Sequence, residues 1–427
     1  MKLRKLPPPL RDDPRIDLAQ ARALGGLADF RGTRDYAGFA AGKAQAQGAR
    51  LLYAKARLLE SGAMSMLAIP GDDALRDEAR RICMELGDQA CVLQALRQQA
   101  NKIVFNDPAR AKPLYEQGLQ ISRRMGSLET ANLLAGLSVA YCYLDDFPEA
   151  EKALKEGIAV WRDAGIEDLA EEMNLAGVYQ AEGRLADALK MYGDVVQVAR
   201  ANGGRETLGN ALAGLADVER LQGNPAGARQ HSEEALAVLR GLGVALDTAG
   251  ALNAVGDVLA DAGDVASAQK NYEEAVKIEE RVSKTGQQPY GGSLELGRAE
   301  LGLANVALAA KQPAVAQSRA AAAIRDSTNA KDTDTAVLAR AVLIRALLAQ
   351  HQTAQAESEA KDAAAAAAGR RNPYPRLNLA LAADLLKAAS GQRAEALQDL
   401  SSVISNASRL GYVSVALAAR QQAREAR

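Results

Sequence analysis

Apolar and small residues recur along most of this chain at the spacing of a helix, not with the alternation of a strand. Leu134, Leu137, Tyr141 and Leu144 fall at intervals of three and four, which places them on one helical face. A second helical run follows after a polar turn, and the pairing then repeats. Segments 145–158, 183–196, 263–276 and 391–404 share one layout. Each opens on a turn residue, carries Ala five positions later and a larger residue four after that, and usually a small residue three further on. The Ala recurs as Ala111, Ala150, Ala188, Ala228, Ala268, Ala316, Ala356 and Ala396, with neighbours 39, 38, 40, 40, 48, 40 and 40 apart. The long interval contains the turn-rich stretch Gly286 to Gly292, which lengthens one connection without breaking register. Small residues held in step over this length mark a repeated supersecondary unit.

Each unit reads as a pair of antiparallel helices. Pro108, Pro148, Pro225 and Pro313 stand near the start of second helices, where a missing N–H costs no intrahelical bond. Gly126, Gly165, Gly203, Gly243, Gly286, Gly369 and Gly411 follow the ends of those helices and suit left-handed C-caps. The repeated Ala lets two helix axes approach to roughly 8–10 Å. Composition agrees: the chain is 48% hydrophobic but only 4% aromatic, with Ala runs at 320–323 and 363–368. Such residues favour close-packed helices over sheets. The expected fold is all-α, a right-handed α-solenoid of stacked antiparallel helix pairs. Its expected organisation is a tail over 1–14, divergent helical repeats over 15–88 and regular repeats over 89–285. An inserted loop over 286–293, Ala-rich repeats over 294–411 and a solvated capping helix over 412–427 complete it. The Ala-rich units bury less side-chain volume and are expected to be the softest.

The pattern resembles the tetratricopeptide repeat family. Leu175, Ala176 and Tyr179 before the turn at Gly183, then Ala188 and Tyr192, carry the likeness. The unit exceeds the common 34-residue form by about six residues and lacks its closing Pro. It is similar to the long-helix arrays attached to bacterial signalling regulators, and the stretch from Asp12 to Ala21 looks like the start of such an array.

Charge and chemistry narrow the function. With 52 Lys and Arg against 53 Asp and Glu, the net charge is −1, which offers no general attraction for nucleic acid. Four Phe, one Trp and eleven Tyr supply few faces for stacking bases. No apolar run reaches membrane-spanning length, so no membrane insertion is expected. Cys83, Cys91 and Cys142 lack metal-ligand spacing and read as small apolar helix residues in a reducing cytoplasm. His231 and His351 have no catalytic or metal partner at recognisable spacing and read as surface or packing residues. The stretch Gly38 to Ala44 is one residue short of a phosphate loop and has Ala44 in place of its hydroxyl. Acidic pairs such as Glu171 with Glu172 and Glu233 with Glu234 read as solvated helix faces. No enzyme signature remains, and no cofactor or metal is implied.

Stacked helix pairs curve so that the first helices line a concave surface, and the family resemblance implies that ligands are held there. Counting back eleven positions from each repeated Ala gives Val139, Gly177, Asp217, Asp257, Asn305 and Arg345. Counting back eighteen gives Asn132, Ala170, Asn210, Gly250, Arg298 and Leu338, with Asn174 and Asn253 in neighbouring slots. The candidate binding residues are therefore Asn132, Asn174, Asn210, Asp217, Asn253, Asp257, Arg298, Asn305 and Arg345. Asn amides can satisfy an extended peptide backbone without demanding its sequence. The Lys of a chaperone-carboxylate clamp is missing, because its slot holds Ala135, Met173, Ala213, Asn253, Leu301 and Ala341. The expected function is a non-enzymatic protein- or peptide-binding scaffold. The alternative is a sensory or regulatory repeat array of a bacterial kinase or transcription regulator. Self-association through apolar end repeats is a further expected partner mode.

Overall fold

The computed structural model describes residues 12–27, 29–67, 69–284 and 294–426. The expected insertion 286–293, with the cap at Gly286, lies outside the described residues, as does most of the expected tail. Every regular element among the described residues is an α-helix, in agreement with the all-α expectation. The chain divides into two compact units.

The first unit, to Leu144 with Ala159–Gly165, holds α1 (Pro14–Gly26), α2 (Phe30–Ala46), α3 (Arg50–Met66) and α4 (Asp72–Glu85). It continues with α5 (Gln89–Ile103), α6 (Pro108–Met125) and α7 (Glu129–Tyr143). Each helix packs on the next, and α1, α3, α5 and α7 also touch in series. The core between α3, α4 and α5 contains Leu58, Ile82, Cys83, Cys91 and Leu96. Here one expectation is corrected: Cys83 and Cys91 form a disulfide, with Cα atoms 5.8 Å apart. The turn at Gly87 folds α5 back along α4, so residues eight apart in sequence face each other across the crossing.

Helix α8 (Phe147–Asp163) contributes residues to both units. The second unit then holds α9 (Leu169–Ala181), α10 (Leu185–Asn202), α11 (Arg205–Leu221), α12 (Pro225–Leu242), α13 (Ala245–Asp261) and α14 (Val265–Lys284). After the undescribed segment come α15 (Leu294–Ala309), α16 (Pro313–Asn329), α17 (Thr333–Ala349) and α18 (Thr353–Ala367). The last three are α19 (Pro373–Ala389), α20 (Arg393–Leu410) and α21 (Val413–Glu425). Pro225 and Pro313 open α12 and α16, and Pro148 is the second residue of α8.

All eight repeated Ala side chains are fully buried, as a helix crossing requires. The C-caps at Gly126, Gly165, Gly203, Gly243, Gly369 and Gly411 have φ between 59° and 82°. Asp145, Lys311, Lys331 and His351 take up the same left-handed conformation at turns where no Gly marks the site.

In the second unit the odd-numbered helices from α9 to α21 touch one another in series, while the even-numbered helices pack mainly on their sequence neighbours. The odd helices therefore form an inner wall and the even helices an outer layer, which is the stacking of an α-solenoid. The wall also meets itself, because α21 packs against α11. Asp145, just before α8, pairs with Arg370 ahead of α19, and Arg370 also reaches Asp334 at 2.9 Å. Tyr374 of α19 and Tyr412 stack with ring centroids 5.7 Å apart. In α21, where a capping helix is expected, Val415, Ala416 and Ala419 are buried, while Arg420 and Arg424 are exposed.

Candidate functional site

The inner wall of the second unit encloses a cavity of about 580 Å³, within the range of ligand sites. The repeat register explains its lining. Asp217 of α11, Asp257 of α13, Asn305 of α15 and Arg345 of α17 all face it; each stands eleven residues before a repeated Ala. Arg298 and Leu338, eighteen before theirs, face it too. Residues at equal distance from equivalent crossings occupy equivalent places on successive first helices, so one stripe reaches one cavity.

The other candidates lie elsewhere. Asn132 on α7, in the first unit, and Asn174 on α9 are exposed and are not part of this lining. Asn210 donates to Asp247 at 3.1 Å. Asn253 is buried, and its amide nitrogen donates to the Glu295 backbone carbonyl and carboxylate, both at 2.9 Å. These two amides join α11 to α13 and α13 to α15; Asn253 is closed off from solvent.

Several lining residues escaped the sequence reading. Counting back eighteen and eleven from Ala396 gives Asn378 and Leu385, and both line the cavity; extending the same count by one unit finds them. Arg220 and Asp261 stand one helical turn beyond Asp217 and Asp257 on α11 and α13, so helical spacing from those two finds them. Tyr374, with Gln421, Gln422 and Glu425 of α21, has no such signal, because these residues arrive through the packing of α19 and α21.

Most charge in the cavity is partnered within the protein. Asp217 accepts from Gln180 at 2.6 Å and from Arg220 at 2.7 Å. Burial raises its carboxyl pKa, but Arg220 and Arg298 outweigh that and hold it below the ordinary value. Asp257 accepts from the Tyr272 hydroxyl at 2.6 Å; burial dominates there and its pKa is raised, despite Arg220 and Arg298. Arg220 also reaches Asp261 at 3.1 Å. Arg298 pairs with Glu295 at 3.3 Å, and chiefly for that reason its pKa is raised. Arg345 has no carboxylate partner among the described residues; its side chain is exposed to the cavity, and partial desolvation by the surrounding wall lowers its pKa.

The arrangement supplies polar recognition. No group of three or more His, Cys, Asp and Glu side chains among the described residues is placed to hold a metal. His231 lies outside the cavity lining and pairs through Nδ1 with Glu219 at 2.7 Å. No helix among the described residues is long and apolar enough to cross a membrane.

Comparison with known proteins fits this architecture. Tetratricopeptide repeat family models match residues 168–241 and 130–164. By sequence, no curated protein matches the chain. Among solved structures, the apo form of RapI is similar over 83% of this chain and 97% of its own, at TM-score 0.59 and 11% identity. NprR, solved in complex with its cognate peptide NprX, is similar over 82% of this chain and 98% of its own, at TM-score 0.53 and 13% identity. A signal-transduction ATPase from Pyrococcus horikoshii with a tetratricopeptide repeat sensor is similar over 85% of this chain, at TM-score 0.48 and 15% identity; the chain spans 53% of its length. The buried Ala series, the stacked helix pairs and the family matches together identify tetratricopeptide repeats over residues 130–164 and 168–241 of this chain.

Proposed function

We propose that this protein is a non-enzymatic receptor for a short peptide segment, held by the inner wall of the second unit. The observation that carries this reading is the convergence of Asp217, Asp257, Asn305 and Arg345, from four consecutive first helices, on one cavity. An extended peptide presents a backbone donor and acceptor at each residue, and Asn305 meets it with a primary amide from the wall. Asn378 donates to the Tyr374 carbonyl at 2.9 Å, which leaves its own amide oxygen as an acceptor. Leu301, Leu338 and Leu381 lie among these groups and offer apolar contact to alternate side chains. The complex of NprR with its cognate peptide supports the reading, since that protein has the same fold.

The test is retention of a degenerate pool of N-acetylated hexapeptides by the full chain, read by mass spectrometry. The double variant N305A/N378A is expected to lose at least tenfold in retention, since two hydrogen bonds are each worth about 1 kcal/mol. Unchanged retention with unchanged helicity overturns the proposal.

A further inference from the structure

Arg345 stands where two hollows meet. The main cavity shares Asn305, Ala309, Arg345 and Leu385 with a second hollow of about 450 Å³. That hollow is otherwise walled by Leu308, Leu348, Ala349 and Ala389. An apolar recess therefore opens beside one guanidinium and one primary amide.

Arg220 and Arg298 are committed to carboxylates of the protein itself. Arg345 is not, and neither Arg345 nor Asn305 has a hydrogen-bond partner among the described residues. A guanidinium in such surroundings gains most from a ligand carboxylate, because both oxygens can be engaged by its planar fork. Both side chains are exposed where the two hollows meet, so an incoming carboxylate can reach them. The recess then decides what the carboxylate is attached to, since its Leu and Ala walls reward aliphatic surface and offer no further charge.

We propose that Arg345 and Asn305 form an anchor for a carboxylate carried on an aliphatic group, and that its source is the C-terminal residue of the bound peptide. This rests on the peptide reading above and adds the polarity and end-group of the ligand. Arg345 engages the terminal carboxylate, Asn305 donates to it or to the last peptide carbonyl, and the final side chain enters the recess beside Leu348 and Leu385. The rest of the peptide runs along the wall toward Asp257 and Asp217.

The experiment compares two degenerate hexapeptide pools ending in Leu, one with a free carboxylate and one amidated, with decanoate as a third probe. On the wild-type full chain the acid pool is expected to be retained at least tenfold better than the amide pool. That preference is expected to vanish in R345Q and to survive in part in R345K. The wild-type comparison needs no variant, so loss of folding in R345Q leaves the test intact. Equal retention of both pools overturns the anchor while leaving the peptide receptor standing. Retention of neither pool, together with no binding of decanoate, overturns both. Binding of decanoate lost in R345Q, with the acid pool unretained, overturns the peptide as source and assigns the anchor to a free carboxylic acid.

Discussion

Gly223, in the turn after α11, packs directly against Val413, the first residue of α21. A Cβ on Gly223 would lie 2.8 Å from Val413 Cγ1, and the backbone φ is 77°. This contact brings the wall of the second unit back onto itself. G223A therefore incurs two costs, left-handed strain and overpacking, together about 2–4 kcal/mol. Gly243 supplies the control, since its φ is 73° and nothing lies within 4 Å of its added Cβ. G243A is expected to lose only the strain component, and hydrogen exchange in α21 is expected to quicken in G223A alone. Equal behaviour of the two variants would remove the role assigned to this contact.

What the amino-acid sequence revealed, and what it hid, follows from the range of each interaction. Ala188 and Ala268 announce their crossings because each repeat solves the same packing problem at the same position. The stripe through Asp217, Asp257, Asn305 and Arg345 is legible for the same reason, as register alone carries it into the cavity. Asn253 shares that periodicity, yet its partner Glu295, on the next wall helix, takes it out of solvent, and spacing contains no trace of that. The pairing of Asp145 with Arg370 and the packing of Gly223 on Val413 join segments far apart in the chain. Such contacts have no period. The Cys83–Cys91 bond is hidden differently: eight residues matches no metal motif, and only the reversal at Gly87 brings the thiols together.

The disulfide closes a loop of eight residues, for which chain-entropy reasoning gives about 2–3 kcal/mol. Alkylation of the denatured, unreduced chain is expected to modify Cys142 but neither Cys83 nor Cys91, whereas reduction exposes all three. Reduction is also expected to lower the melting temperature, with the loss concentrated in α4 and α5 by hydrogen exchange. Modification of all three cysteines without reductant would show that the bond is absent.

Ala268 sits fully buried in the cluster of Val255, Leu259, Tyr272, Leu303 and Val306. A268L inserts a branched side chain into a closed crossing and is expected to cost on the order of 1–3 kcal/mol. Two residues earlier on the same helix Ala266 is exposed, so A266L is expected to change stability by less than about 0.5 kcal/mol. Denaturant titration of both variants decides it, and comparable losses would argue against Ala268 as the crossing residue.

Softness in the Ala-rich region is expected to concentrate in one helix. In α18 only Ala356 and Ala363 are buried, whereas α17 beside it buries Val337, Val342, Ile344 and Leu347. Few buried apolar contacts mean a low free energy of local opening. Amide exchange in α18 is expected to be the faster of the two by at least tenfold. Exchange at equal rates would show that the region opens as one unit.

Asp384 of α19 is 3% exposed, and its Oδ2 has no hydrogen-bond partner. Burial chiefly, with Asp399 adding repulsion and Lys387 opposing it, raises its pKa from 3.8 to about 6. A carboxyl whose native pKa is raised keeps its proton longer in the folded state than in the unfolded one. Between those two values the folded state binds more protons, so stability falls as pH rises, and above about 7 the loss is complete. The difference corresponds to about 3 kcal/mol. D384N mimics the protonated side chain and lacks this dependence. The two proteins are expected to unfold alike near pH 4, with D384N becoming the more stable by that margin at pH 8. A gap that stays constant over this range would mean that Asp384 ionises at its ordinary value and that the cause of any difference lies elsewhere.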